Sequence, residues 1–330
     1  MTFFHAGASQ FAPPAEIDPD RDPQRFMHGE HAWTVQTCAR LARAGMPVAL
    51  ADRAPTEGIV VFHVKERHAL VRTMRPGTNV LLVGIRADNR QSAVADAEVV
   101  QNGRFADGSR RIFIPFWPQP GLIPREPSRG DTVRTAAFKG FARNLAAPFR
   151  SAAWAEFLAA RGIKWVFDAV EFDRNGSNGS DLRWRDYSEV DLIIAVRPPH
   201  AIPHTAKPAT KLYNAWHAGV PGLFGEEFAL RELRRSELDY LEADSLAAVQ
   251  KAVVRLQEDP GLYRAMVENG RRRACEFTVA SIVERWRSLL YEEMPALAAT
   301  PHYRLLRQTP LAVKAPLRRL SRWLALRPAR

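Results

Sequence analysis

The sequence predicts an α/β fold with parallel sheets in two halves, and three observations carry that reading. Apolar runs alternate with helix-patterned stretches along most of the chain, the mark of strand–helix repetition. A stretch rich in proline and glycine, WPQPGLIPREPSRGD at residues 117–131, interrupts this alternation, which then restarts. At 330 residues, 46% hydrophobic and 25% charged, the chain has the length of two ordinary domains and the composition of a globular protein.

The elements follow in order. TFFHAG (2–7) reads as a short strand ending in a glycine turn, EHAWTVQTCARLARAG (30–45) as a helix closed by Gly45, and MPVALAD (46–52) as the next strand. GIVVFHV (58–64), NVLLVGIRA (79–87) and RRIFIPF (110–116) are further strands; VADAEVVQNG (94–103) is a turn or helix end leading into another. Beyond 131, TVRTAAFKG (132–140) is a strand, 145–162 a helix, IKWVFDAV (163–170) a strand, RNGSNGSD (174–181) a loop and DLIIAVR (191–197) a strand. Helices dominate from 245 to about 295. Residues 1–125 are assigned to a first domain, 126–131 to a linker, 132–295 to a second domain and 296–330 to a basic tail.

Charge and cysteine content exclude several classes. The formal net charge is +11, but residues 301–330 hold eight Arg or Lys and no Asp or Glu, leaving 39 basic against 36 acidic residues in the body. The basicity therefore belongs to the tail, and no nucleic-acid-binding module is present, so no nucleic-acid partner is expected. Cys38 and Cys275 stand far apart without a CxxC, which argues against a disulfide framework and a cysteine-based zinc site and fits a reducing compartment. No signal peptide or membrane-spanning run is read. The Asp-x-Asp within IDPDRDP (17–23) lies among prolines and an arginine and reads as a loop. No metal or other cofactor is expected. No GxGxxG follows an early strand, which disfavours an NAD-linked dehydrogenase.

The stretch KPATKLYNAWHAGVPGLFGEE (207–227) concentrates the candidate chemistry. At helical spacing Lys207, Lys211, Asn214 and Ala218 form one stripe, with Ala209, Leu212 and Trp216 opposite. Pro208 suits a first helical turn, Gly219 a left-handed helix end, and Pro221 the exit. A helix start flanked by a lysine suits an anion; on spacing alone the stripe serves equally as a solvated helix face. PGLFG then reads as a buried strand, and Glu226 and Glu227 open the next helix. Ligands of open α/β sheets gather at the carboxyl ends of strands, so the start at 207 and the loop at 225–227 are expected beside one crevice.

These residues resemble those of the nucleotide-sugar-binding half of GT-B-fold glycosyltransferases. The shared features are a helix ending in a small-residue–Gly–x–Pro turn before a strand, the DSLAAVQKAVVRLQEDP helix at 244–260, the N-G-R…F-T segment at 269–278 and a tryptophan-bearing helix at 279–290; WRDYSEVDLIIAVRP (184–198) resembles the segment before the donor site. The resemblance spans residues 132–295 and is weaker over the first 130. It points to a divergent member of the group 1/4-like superfamily.

The resemblance implies two Rossmann-like domains facing each other across a cleft, the second holding a nucleotide-sugar donor and the first an acceptor. It implies metal-independent transfer to a hydroxyl acceptor, a glycan or lipid-linked molecule, with the departing diphosphate stabilised by cations and helix N-termini. Where the commonest retaining branch has two glutamates, this chain has Ala206 and Asn214. Asn214 can still hydrogen-bond, but the stereochemistry of transfer stays open.

Within this frame the donor-binding candidates are Gly140, Arg143, Asn144, Arg197, Lys207, Lys211, Asn214 and Glu226, with Lys139 behind them. Gly140 would allow close approach of the diphosphate, and Asn144 serves equally as a helix cap. Glu227 is placed at the sugar or ribose as a catalytic candidate, with helix capping as its alternative. On the acceptor side Gly7 and His28 are candidates, and His31 is the candidate base; His5 reads as a strand histidine.

PLRRLSRWLALR (316–327) has the pattern of a basic amphipathic helix suited to an anionic membrane surface, or of a flexible terminus or a helix packed on the protein. The expected location is cytoplasmic, with residues 301–330 offering peripheral attachment. Two other readings remain: a nucleotide-sugar-binding relative without turnover, and an adaptor for membrane or nucleic acid acting through the tail.

Overall fold

A computed structural model describes residues 1–27, 29–170, 183–199, 207–309, 313 and 315–318. His28, the loop 174–181, Ala206 and the tail beyond 318 lie outside the described residues. The chain forms two compact units: residues 1–19, 25–116 and 279–330 make the first, and 20–24 with 117–278 the second.

The first unit is built on a six-stranded parallel sheet of β1 (Thr2–Phe4), β2 (Ala49–Ala51), β3 (Glu57–His63), β4 (Asn79–Ile85), β5 (Ala97–Val100) and β6 (Arg111–Phe113), in the order β2-β1-β3-β4-β5-β6. Phe4 pairs in register with Phe62, and Val83 with Ala97. β4 is buried from Val80 to Ile85, which accounts for its unbroken apolar run: a parallel strand covered on both faces has no polar side to show. Phe4, Val60, Phe62, Leu70 and Leu82 pack as one cluster.

The predicted helix 30–45 divides into a π-helical turn (His31–Val35) and α1 (Gln36–Arg43), with Gly45 left-handed beyond it. No helix is predicted from the sequence at α2 (Arg67–Thr73).

The second unit holds a five-stranded parallel sheet, β7 (Thr135–Phe141), β8 (Lys164–Val170), β9 (Leu192–Ala195), β10 (Gly222–Phe224) and β11 (Leu241–Glu242), ordered β11-β10-β9-β7-β8. The predicted helix 145–162 is shorter: Pro148 sits in a 3₁₀ turn (Ala147–Arg150), and α3 (Ala152–Ala159) begins only where the Ser151 hydroxyl accepts the Trp154 N–H at 3.3 Å. Ser151 thus holds the capping position offered to Asn144. α4 (Thr210–Ala218) ends as predicted on Gly219, φ 68°. Its start differs, because Lys207, Pro208 and Ala209 precede the first helical turn. After α5 (Phe228–Leu233), α6 (Leu246–Glu258) is capped by Ser245 and α7 (Pro260–Ala274) by Asp259, with Pro260 at the first helical position.

Two boundaries are corrected. Residues 117–131 are not a free linker but part of the second unit: Arg125 and Arg129 both reach the fully buried Asp191, and the Arg125 N–H bonds the Ala218 carbonyl at 3.0 Å. α8 (Val279–Ser288), assigned by sequence to the second domain, belongs to the first unit. Its buried face of Ile282, Val283 and Trp286 is the reason, with the Trp286 ring 6.1 Å from that of Phe3.

The chain continues through a π-helical turn (Leu289–Glu293) into α9 (Met294–Ala299) and α10 (Pro301–Gln308), also in the first unit. Among the described residues no helix is long and apolar enough to cross a membrane.

Candidate functional site

The strand order of the second sheet reverses between β7 and β9, the place where open α/β sheets take ligands at their carboxyl edges. β7 delivers Lys139, Gly140 and Phe141 to that edge, and β9 leads into Val196 and Arg197. β10 leads into Gly225, where a Cβ would sit 3.3 Å from Val196 Cγ1 and 3.6 Å from the Arg197 nitrogen; glycine there lets the two loops run close and places Glu227 beside Arg197.

Four predicted residues meet here: Gly140, Arg197, Lys211 and Glu227. Arg197 Nε donates to Glu227 Oε1 at 2.8 Å, both side chains being about nine-tenths buried at 10% and 6% exposure. Arg197 Nη1 is buried as well and has no hydrogen-bond partner among the described residues. Lys211 reaches up from α4 and donates its ammonium to the Lys139 carbonyl. Gly140 makes room for it: its φ is +149°, and a Cβ there would stand 2.7 Å from Lys211 Nζ. Burial, then the Arg197 charge, pull the Lys211 pKa down to about 7, against the opposing pull of Glu227 and with further depression from Lys207 and Lys139. The edge thus carries an amine poised between charged and neutral beside a guanidinium with a donor to spare.

The other predicted donor-side residues lie elsewhere or are engaged. Asn214 is buried, its side-chain oxygen accepting the Gln119 N–H at 3.0 Å, so it fastens α4 to the 117–131 stretch. Glu226 points away into an exposed ion pair with Arg231 at 2.6 Å. Glu227 precedes α5 but makes no capping bond; its side chain serves Arg197. Arg143 is exposed in the 3₁₀ turn that follows β7 (Ala142–Asn144), its guanidinium carbon 5.8 Å from the Phe141 ring centre, and Asn144 ends that turn.

Lys139, ranked behind its neighbours from sequence, is buried with its ammonium 2.5 Å from Asp168 Oδ2 and 2.9 Å from the Arg183 carbonyl. A polar cavity of about 1010 Å³ opens beside this pair, lined among others by Thr135, Asp168, Arg183, Asp186 and Glu189. Nothing local in the sequence marks the pairing, because 29 positions separate Lys139 from Asp168.

The first sheet reverses between β1 and β3, and a second group stands at its carboxyl edge. His5, just past β1, holds Nδ1 2.9 Å from Glu66 Oε1, which also accepts the Ala6 N–H at 2.8 Å. Glu66 Oε2 is buried with no hydrogen-bond partner among the described residues. The His31 ring packs edge-on against His5 and Phe11, each 5.1 Å away, and burial followed by the His5 charge lowers its pKa. Gly7 adjoins the group: a Cβ there would lie 3.4 Å from His5 Nε2. His5 is therefore more than a strand histidine; a carboxylate 61 residues away fixes its orientation.

Asp18 and Asp20 are taken up by Arg43 Nη2 at 3.0 Å and by the Gly121 N–H at 2.9 Å. Among the described residues no cluster of three His, Cys, Asp or Glu is placed to hold a metal ion.

No protein-family model and no curated protein matches the chain by sequence. Solved structures match by shape. Sucrose-phosphate synthase from Thermosynechococcus elongatus superposes with a TM-score of 0.52 at 14% identity, over 78% of this chain and 76% of that one. TarM superposes with a TM-score of 0.51 at 9% identity over 71% of this chain, which spans about half of TarM, 55%. With two parallel α/β units, each reversing its strand order beside its first strand, and with these likenesses in shape, the chain has the GT-B fold.

Proposed function

We propose that the chain is a glycosyltransferase that moves a sugar from a nucleotide-sugar donor to a hydroxyl acceptor, a glycan or lipid-linked molecule. The observation that carries the reading is Arg197 Nη1, a buried donor without a partner among the described residues, next to Lys211 at the strand-order reversal of the second sheet. Two cationic groups at that edge suit a diphosphate. As the bond from the anomeric carbon to the phosphate oxygen breaks, its electron pair passes to the leaving diphosphate, whose growing charge Lys211 and Arg197 offset. Glu227 is a positioning residue in this scheme, holding the guanidinium.

The fold likeness to a sucrose-phosphate synthase supports glycosyl transfer in general. The polar cavity beside Lys139 and Asp168 has room for a nucleoside. On the acceptor side, the first unit offers His5 with Nδ1 committed to Glu66, which leaves Nε2 for a hydroxyl and makes His5 a stronger candidate base than His31. Transfer is proposed to proceed without a metal. A donor-binding relative without turnover is the second reading, favoured by the commitment of Glu227 to Arg197 and of Asn214 to Gln119.

The test is a thermal-shift screen with UDP-, GDP-, dTDP- and ADP-sugars on the parent chain, Lys211→Ala and Arg197→Ala. A donor at a hundredfold excess over its Kd adds about 2.7 kcal/mol of stability. A response to one nucleotide that both variants lose supports the donor site. Silence toward all four from a folded protein overturns it, and donor binding with no sugar lost from the donor in the presence of polyol, glycan and lipid acceptors selects the second reading.

A further inference from the structure

The described part of the C-terminal segment is tied down from within. Arg318 is 7% exposed, its Nη2 lies 2.5 Å from Asp96 Oδ1, and its Nη1 donates to the Val94 carbonyl at 3.0 Å. The other Asp96 carboxylate oxygen accepts the Leu82 N–H at 2.9 Å, so the pair is built in where the start of β5 meets β4. Tyr303 of α10 is buried beside it, its hydroxyl 3.4 Å from the Asp96 carbonyl.

Three described apolar side chains of the same segment do the reverse. Leu305, Val313 and Leu317 are 67%, 50% and 59% exposed, more than any other large hydrophobic residue among those described. Val313 and Leu317 stand four apart and share a helical face, with Arg318 turned well away from it. A helix that buries its arginine and shows its valine and leucine inverts the pattern of a helix packed in a globular protein in water.

We propose that this segment, clamped to the first unit by Arg318 and Tyr303, is a docking surface for an anionic lipid bilayer. Leu305, Val313 and Leu317 enter the interface, and Arg304 of α10, exposed next to Leu305, meets the headgroups. Charge selects the occupant. With Arg318 spent on Asp96, residues 301–330 keep seven basic and no acidic side chains, which complements an anionic surface and sets two copies of this face against each other. The inference stands on the C-terminal segment and does not depend on the donor site.

The experiment is co-sedimentation of the full chain with vesicles of phosphatidylcholine alone and of phosphatidylcholine with phosphatidylglycerol, at low and high salt. The chain is expected to partition onto the anionic vesicles only, less so at high salt. Leu305→Glu combined with Leu317→Glu is expected to lower the partition coefficient roughly tenfold or more. Both positions are exposed, so circular dichroism and the melting temperature should match the parent. The proposal fails if the parent ignores anionic vesicles or the double variant binds as well as the parent. It fails equally if light scattering finds a dimer that the double variant abolishes, which assigns the face to a second copy.

Discussion

At the residue scale, Lys211 makes the carboxyl edge of the second sheet sensitive to pH. Its ordinary pKa of 10.5 falls to about 7 in the folded chain. Between those values the unfolded chain holds a proton that the folded chain lacks, so this group makes stability rise with pH from about 7 to about 10.5. Binding of an anion runs the other way, because it recruits the ammonium. By calorimetry, affinity for a nucleoside diphosphate is expected to be level below pH 7 and to fall above it by up to about tenfold per pH unit, until the pKa of the bound state is passed. Lys211→Arg, charged throughout, should flatten the profile; a parent profile already flat from about pH 6 to 9 would remove Lys211 from the site.

Gly140 is the second residue-level dependence. Alanine there must adopt φ near +149° and meets Lys211 Nζ. A loss of about 1–3 kcal/mol in chemical denaturation is expected, with a weakened ligand-induced thermal shift.

At the element scale, Asp191 at the start of β9 gathers separate pieces of chain. Its carboxylate accepts from Arg125 Nε, Arg129 Nε and Nη2, and the N–H groups of Arg134 and Thr135, all between 2.7 and 2.9 Å. Burial alone would raise its pKa, but the bonds from Arg129, Arg134 and Arg125 outweigh it and hold the group below the ordinary carboxylate value. A depressed carboxylate stabilises the fold above its unfolded pKa and loses that contribution as pH falls through the folded value, so the effect belongs below about pH 4.

Asp191→Ala leaves two arginines without their shared anion and is expected to cost about 3–5 kcal/mol by urea unfolding. A loss under 1 kcal/mol would mean that the 117–131 stretch is held by other contacts.

At the scale of the whole molecule, the chain visits the first unit twice, since residues 279–330 return to it after the second unit is complete. Trp286, 3% exposed, packs on Phe3 of β1. Trp286→Ala is expected to cost about 3–5 kcal/mol, and hydrogen exchange should locate the loss in β1 and α1 while β7 and β9 keep their protection. Equal loss in both units would contradict the division of the chain into two units.

Local chemistry determined much of this protein from the sequence alone. The alternation of apolar runs and helical patterns marked most strands, because parallel strands buried on both faces must be apolar throughout, and Gly45 and Gly219 marked helix ends through backbone preferences that act within a few residues. The basic tail was legible from composition. The candidate site was legible in part: Lys211, Arg197, Glu227 and Gly140 each ended an element or lay on a helix stripe. Their partners were not.

Only the tertiary structure joined Arg197 to Glu227, Lys139 to Asp168, His5 to Glu66 and Arg318 to Asp96, since each pair lies tens to hundreds of residues apart and no periodicity reports a contact at that range. The same holds for α8, whose apolar stripe says that it must be buried but not against which sheet. Sequence decides what each segment must bury or cap; which partner meets that need is settled when the sheets assemble.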